Sequence, residues 1–247
     1  MDIKAEKIKP YTEDDRAKTE QVQEMFDNIA PAYDFMNGAM TMGLHKLWLG
    51  KAVKLLKAFG PEVIVDLATG TADVAVAMAK AMPHSRITGI DLSENMVKKG
   101  REKVKRHGLE KRISLETGDI LKLNMPDAVA DAVTIAYGVR NLEHLKEGYA
   151  QMLRILRPGG MLCVVELSTP RGKLTGPLYR FYTRHIIPRM GRLFSRDTRA
   201  YSYLPESIAA VPQGHNMLSL MEEVGFMECK ARPLTFGVCT IYTAIKP

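Results

Sequence analysis

From Val63 onward the apolar positions fall into short blocks, each closed by turn residues. Val63 to Leu67 is apolar apart from Asp66 and runs into Ala-Thr-Gly-Thr, which predicts a buried strand and a turn. Asp73 to Ala81 predicts a helix with an anion at its N-terminal end. Arg86 to Leu92 reads as a second strand. Ser93 then caps a helix from Glu94 to His107, and Gly108 ends it. Ile113 to Thr117 and Ala132 to Ala136 read as the third and fourth strands. A helix from Glu143 to Leu156 stops at Pro158-Gly159-Gly160, and Met161 to Leu167 is the fifth strand. Strands alternating with helices predict a parallel sheet with helices on both faces. After Pro212 the pattern gives a helix, Met217 to Val224, and two further strands, Met227 to Leu234 and Val238 to Ile245. Thr235-Phe236-Gly237 joins them as a hairpin, so the last strand should run antiparallel to its neighbour. The expected fold is α/β, a doubly wound sheet of seven strands.

The flanking segments read differently. Residues 1–20 are polar and are expected to form a flexible arm ahead of a single domain over 21–247. Residues 20–58 have helical spacing around Pro31 and Asn37-Gly38, and are expected to form a helical cover. Residues 170–204 interrupt the alternation as an insertion. Composition adds little: of 247 residues 46% are hydrophobic and 26% charged, ordinary for a globular domain. Cys163, Cys229 and Cys239 are too few and too scattered for a disulfide framework or a zinc site, and no metal is expected. No apolar run approaches the roughly 18 residues of a spanning helix, and the N-terminal MDIKAEKIKP lacks an apolar signal core. The expected location is the cytoplasm.

Charge is informative through its placement. Segment 171–200 carries eight Lys and Arg against Asp197 alone and so holds the whole net charge of +7. Within it, Leu174, Leu178 and Phe181 recur at helical spacing, and Pro188 should break the helix. Basic residues beside aromatic and aliphatic ones suit an element lying on an anionic membrane surface. An ordinary substrate lid is the plainer alternative.

The turn after the first strand is where open α/β sheets bind ligands. It holds Gly70 but not the three glycines that let backbone approach a pyrophosphate, which argues against a dinucleotide. Asp91 closes the second strand and can accept from both hydroxyls of a ribose. Asp119, closing the third, can accept from an exocyclic amine while Ile120 packs on the ring. With Asp66, three acidic strand ends therefore fit a ligand with adenine and ribose but no phosphate, S-adenosylmethionine.

The run Asp66 to Asp73, with Gly89-Ile90-Asp91, Gly118-Asp119 and Leu156 to Gly160, resembles the class I S-adenosylmethionine-dependent methyltransferases. Asn28 to Asn37 with Gly43-Leu44-His45 and Trp48, Thr134 to Asn141, and Tyr203 to Ser207 resemble the UbiE/MenG family. These are the C-methyltransferases of ubiquinone and menaquinone synthesis. The resemblance implies a Rossmann-like fold and a prenylated quinol substrate methylated on its ring. Carried onto this chain, it gives a cofactor set of Asp66, Gly70, Thr71, Asp91, Leu92, Asp119, Ile120, Ala136 and Tyr137. Two positions depart from the family pattern. Ala72 stands where a glycine is usual, so that position should have negative φ or the turn be altered. Tyr137 replaces a phenylalanine.

A ring carbon becomes nucleophilic when a neighbouring phenol loses its proton. Arg140 can stabilise the phenolate, being too basic to serve as the base itself; pairing with a structural carboxylate is the alternative. His45 is a candidate base. Tyr33 and Asn141 complete the candidate catalytic set. Asp34 shares a loop with Tyr33, and His144 reads as solvated. Nucleic acid is not an expected partner: Ala136-Tyr137-Gly138-Val139 lacks the Pro-Pro of nucleic-acid aminomethyltransferases, and no cysteine falls in a turn near the site to serve as the nucleophile of a cytosine-carbon methyltransferase. Another small phenol or lipid, or a module that binds cofactor or RNA without catalysis, stays as an alternative. Self-association into a homo-oligomer is compatible with the pattern but not specified by it.

Overall fold

The structure, a computed structural model, describes residues 3–187, 189 and 199–247, with Arg184 described by its backbone alone. Strands β1 (Val63–Leu67), β2 (Arg86–Asp91), β3 (Ile113–Thr117), β4 (Ala130–Ala136) and β5 (Leu156–Leu167) pair in parallel. β6 (Met227–Leu234) and β7 (Cys239–Ile245) complete a seven-stranded sheet of order β3-β2-β1-β4-β5-β7-β6. β7 is antiparallel to both its neighbours, as the short hairpin predicts. β5 begins at Leu156, not Met161, because Leu156 already pairs with Ala130 across a register shift in β4.

Alternate side chains of each strand go to opposite faces, and the core divides accordingly. Ile64, Ala132, Cys163 and Ile241 pack with α4 (Leu44–Phe59), α5 (Asp73–Ala81) and α6 (Glu94–Arg106). Val65, Val133, Val164 and Tyr242 pack with α7 (Leu145–Ile155) and the helix His215–Val224 near the C-terminus. Ser93 caps α6, its hydroxyl accepting from Met96 N at 3.1 Å. Cys163, Cys229 and Cys239 are all free thiols.

The expected loose arm is instead packed. A short helix, α1 (Lys4–Lys7), buries Ala5 in the core beside Ile3. Two carboxylates clamp it by mutual capping. Glu6 accepts from Leu145 N at 2.7 Å, at the start of α7. Glu143 accepts from Thr19 N at 3.1 Å and Thr19 Oγ1 at 2.7 Å, at the start of α2 (Lys18–Ile29). Isolated polarity along residues 1–20 does not reveal these partners, which lie about 125 to 139 positions away.

Lys18 is fully buried between these elements. Its ammonium donates to the carbonyls of Ala5 at 2.7 Å and of Arg140 and Leu142 at 3.1 Å. Burial pulls its pKa down to about 8 from 10.5, against the opposing pull of Glu6 and Glu143. The folded value lies below the unfolded one, so between them the unfolded chain binds more protons and stability rises with pH. The unfolding free energy of the wild type should gain on that of Lys18→Met by up to about 3 kcal/mol across this window. Parallel pH dependences for the two proteins in denaturant titrations would contradict it.

α2 and α3 (Tyr33–Met40) form the expected helical cover, and α9 (Arg199–Ala210) packs onto them. Met25, Ile29, Met36, Ile187, Tyr201 and Tyr203 meet there in a separate apolar cluster. In the insertion, α8 (Thr175–Phe181) is followed by a wide π-helical turn, Tyr182–Ile186. The expected break at Pro188, and the side chains from 190 to 198, lie outside the described residues. The terminal helix His215–Val224 is α10 below.

Candidate active site

The sheet's direction of winding reverses between β1 and β4, and a crevice opens beyond their carboxyl ends. Asp66 is buried there and accepts from Thr69 Oγ1 at 2.6 Å and Thr134 Oγ1 at 2.5 Å. Burial raises its pKa to about 6, with the two hydroxyls opposing. Asp66 thus pins the turn and does not line the crevice. Thr71, also expected on the cofactor, donates instead to Asp34 Oδ1 at 2.5 Å. Lys103 joins the same knot, donating to Asp34 Oδ2 at 2.7 Å and Thr71 Oγ1 at 2.9 Å, so α3, the turn and α6 are tied together.

Of the two alternatives expected at Ala72, negative φ is excluded: its φ is +65°. Ala68 and Tyr137 are left-handed as well, at +49° and +58°. Such a conformation costs an alanine about 1–2 kcal/mol. The Ala72 methyl is fully buried beside Gly100 of α6, where an added Cβ would come within 3.3 Å of it.

The crevice divides into a narrow cleft and a large chamber. Gly70, Asp91, Leu92, Asp119, Ile120, Ala136 and Tyr137 line the cleft, all of them expected from sequence. Thr19, Val22 and Phe26 of α2 close it from above. Asp91 accepts from Gly70 N at 2.7 Å and Ser93 N at 2.9 Å, which holds both carboxylate oxygens at the turn. Burial raises its pKa to about 6 against these donors. Asp119 accepts from Leu121 N at 2.9 Å and caps the turn that carries Ile120. A buried acceptor at the end of β2, apolar side chains for a planar ring and no phosphate cradle fit S-adenosylmethionine. The cleft measures about 70 Å³.

The chamber measures about 640 Å³ and is walled mainly by apolar side chains. Tyr33, Arg140, Asn141 and His45 all line it, as expected. Tyr33, Tyr137, Asn141 and Phe26 belong to both spaces and form the wall between them. Arg140 is buried, and its Nη1 donates to Glu166 Oε1 at 2.8 Å and to the Tyr137 carbonyl. Burial opposes the guanidinium charge, but Glu166 together with Tyr33 and Tyr203 offsets it and the pKa moves up. Arg140 Nε has no protein partner although it is buried. The guanidinium therefore has both a structural carboxylate and an unspent donor. Asn141 accepts from the Tyr203 hydroxyl at 3.2 Å. His45 is buried, and its burial lowers its pKa despite Asp73 and Asp34.

Met42, Leu178, Phe181, Ile186 and Phe236 line the chamber yet are exposed, Phe236 at 82% and Met42 at 76%. They come from the α3–α4 junction, the insertion and the β6–β7 turn, and they make an apolar mouth. Phe236 has φ +56° between two other left-handed residues, and Trp48 Nε1 holds that turn by donating to Thr235 Oγ1 at 2.8 Å.

Residues 14–246 match the family model described as the ubiE/COQ5 methyltransferase family. The chain belongs to the ubiE/COQ5 methyltransferase family. A demethylmenaquinone methyltransferase of Bacteroides fragilis is 45% identical over 246 residues, covering 100% of both chains. A ubiquinone/menaquinone biosynthesis C-methyltransferase UbiE of Geobacter sulfurreducens is 40% identical over 100% of this chain and 95% of its own. Among solved structures, a SAM-dependent methyltransferase from Aquifex aeolicus superposes with a TM-score of 0.60 at 18% identity, over 82% of this chain and 93% of that one. The [4+2]-cyclase SpnF gives 0.66 at 16% identity, over 93% and 97%. At such identity these two show the Rossmann-like fold alone. In this ubiE/COQ5 family chain, two of the three strand-end acids, Asp91 and Asp119, line the cleft, and the third, Asp66, does not. What the sequence hides is Glu166, whose lone acid in Val164-Val165-Glu166-Leu167 signals a buried charge in need of a partner, and the α2 residues over the cleft.

Proposed function

We propose that this chain transfers a methyl group from S-adenosylmethionine to a ring carbon of a prenylated quinol, a reading supported by relatives named a demethylmenaquinone methyltransferase and a ubiquinone/menaquinone biosynthesis C-methyltransferase. The observation that carries the reading is an apolar chamber, with one buried arginine, sharing a wall with the strand-end cleft. Asp91, Asp119 and Ile120 hold the cofactor, which when bound supplies an electrophilic methyl group. Tyr33 and Tyr137, which line both spaces, flank the junction where the methyl group meets the quinol ring. The Arg140 guanidinium, at the chamber wall, stabilises the phenolate electrostatically, and a low-dielectric surround strengthens that interaction. His45 takes the hydroxyl proton; the C–CH3 bond forms as the S–CH3 bond breaks, and the ring carbon then gives up its own proton to solvent as the ring becomes aromatic again. The chamber walls exclude water from the reacting carbon.

The prenyl tail leaves through the apolar mouth. Arg171, Lys173, Arg180 and Arg189 are exposed close by in sequence to Leu174, Leu178 and Phe181. We place the protein in the cytoplasm, with this face resting on the anionic inner surface of the membrane. Among the described residues no helix is long and apolar enough to cross it. Each cation near such a surface contributes about 1 kcal/mol before screening. The decisive experiment incubates the protein with methyl-labelled cofactor and reduced lipid extract, followed by mass identification of the product. Label on a quinol ring is expected; label on an unrelated phenol or on RNA overturns the substrate. Co-sedimentation with anionic vesicles should weaken with salt and on changing Arg171, Lys173, Arg180 and Arg189 to Gln. Indifference to vesicles reduces the insertion to a lid.

A further inference from the structure

We propose that Thr41 is a positioning residue that holds the His45 imidazole in the Nδ1–H tautomer and so leaves Nε2 as the proton acceptor in the chamber. The inference rests on the quinol reading above for what the acceptor meets, but the tautomer itself follows from proton bookkeeping at one hydroxyl. Thr41 Oγ1 lies 2.6 Å from the carbonyl oxygen of Asn37. A carbonyl can only accept, so at that separation it takes the single hydroxyl proton. Thr41 Oγ1 also lies 2.7 Å from His45 Nδ1. With its proton committed, the hydroxyl can only accept there, and Nδ1 must carry a hydrogen. The opposite assignment would leave two bare oxygen acceptors 2.6 Å apart. His45 N also points to Thr41 Oγ1, at 3.4 Å, which adds a second donor to the same oxygen.

The neutral ring has one N–H, so Nε2 keeps its lone pair. His45 lines the chamber that holds Arg140, Tyr33 and Tyr137. A quinol hydroxyl there can lose its proton to Nε2, while the O–H electron pair stays on oxygen under the Arg140 donor and the ring becomes imidazolium. Electron demand balances with no further reactant. The charged groups acting on the ring are Asp73 of α5, Asp34 of α3 and Lys46 of α4, and the insertion contributes the Tyr182 hydroxyl to the chamber, donating to the Met40 carbonyl at 2.9 Å. Burial outweighs the two carboxylates, so the ring is neutral and able to accept at neutral pH.

The test uses the full chain labelled with nitrogen-15 in histidine rings, with His45 assigned by its absence in His45→Gln. Wild-type His45 should show the Nδ1–H pattern. Thr41→Val, which keeps shape but removes the acceptor, should shift the ring toward Nε2–H, lower kcat about tenfold with KM held, and move the acid limb of kcat to lower pH. Thr41→Ser should restore the spectrum and kcat. An Nε2–H ring in the wild type, or a His45 spectrum unmoved in a folded Thr41→Val protein, overturns the proposal. So does full activity in His45→Gln. If the wild type methylates no quinol at all, the quinol reading fails while the ring spectrum still decides the role of Thr41.

Discussion

Arg140→Met is expected to cost about 3–5 kcal/mol of stability, because it strands the buried Glu166 carboxylate without its cation. Glu166 would keep only backbone donors, Leu167 N at 2.8 Å and Arg140 N at 3.4 Å. Adding Glu166→Gln to Arg140→Met removes the stranded charge and should recover most of the loss. Arg140→Lys separates structure from chemistry. It retains a cation for Glu166 but loses the planar fork of the guanidinium. Its kcat should fall by about 10²–10³, the range for losing one preorganised donor to a developing oxyanion. Cofactor affinity by calorimetry should stay within a few-fold, since Arg140 lines the chamber and not the cleft. A collapse of cofactor affinity would make Arg140 a cofactor residue and shift catalysis onto His45 and Tyr33.

The second large effect is at Asp91. Its carboxylate accepts from Gly70 N and Ser93 N in the cleft, and on the proposed reading it also accepts two ribose hydroxyls. Charge-assisted bonds of this kind contribute about 1.5–3 kcal/mol, so Asp91→Asn should weaken S-adenosylmethionine at least tenfold. Asparagine keeps the volume and one acceptor, which limits damage to the turn. The wild-type affinity should also depend on pH. Burial holds the free carboxyl near a pKa of about 6, and hydroxyl donors favour its ionised form. Binding therefore expels a proton below that value, and affinity should drop as pH falls through about 6, by up to about tenfold per unit. Asp91→Asn should lose this dependence. Calorimetry finding equal affinity in the two folded proteins would sink the assignment.

The strand ends were legible because parallel strands are short, apolar and closed by turn residues, so Asp91, Asp119 and Arg140 could be placed without coordinates. The turn's conformation was not. Ala72 has a φ of +65° because Asp66 and Asp91 hold the loop on both sides, and tertiary bonds override what a single alanine prefers. Thr71 faces Asp34 for a similar reason: its partners lie on α3 and α6. The N-terminal arm misled because its apolar residues, Ile3 and Ala5 in the core and Ile8 and Tyr11 against the cover cluster, are scattered singly, with Lys18 and Glu6 buried or engaged by partners far along the chain. Polarity predicts solvent unless the partner is known.

The position of β7 sets an order on the making of this protein. The last strand is not added at an edge; it slots between β5 and β6, pairing from Cys239 to Ile245 with both. A chain leaving the ribosome can form β1 to β5 early, but β5 then presents an open edge with Val164 and Val165 beside it until β7 is released. The chamber is equally unfinished, since Thr235, Phe236 and Val238 belong to the same late hairpin. Nascent chains arrested before residue 239 should therefore be protease-sensitive and in need of a chaperone, and the completed enzyme should acquire its substrate chamber in the same step that seals its sheet.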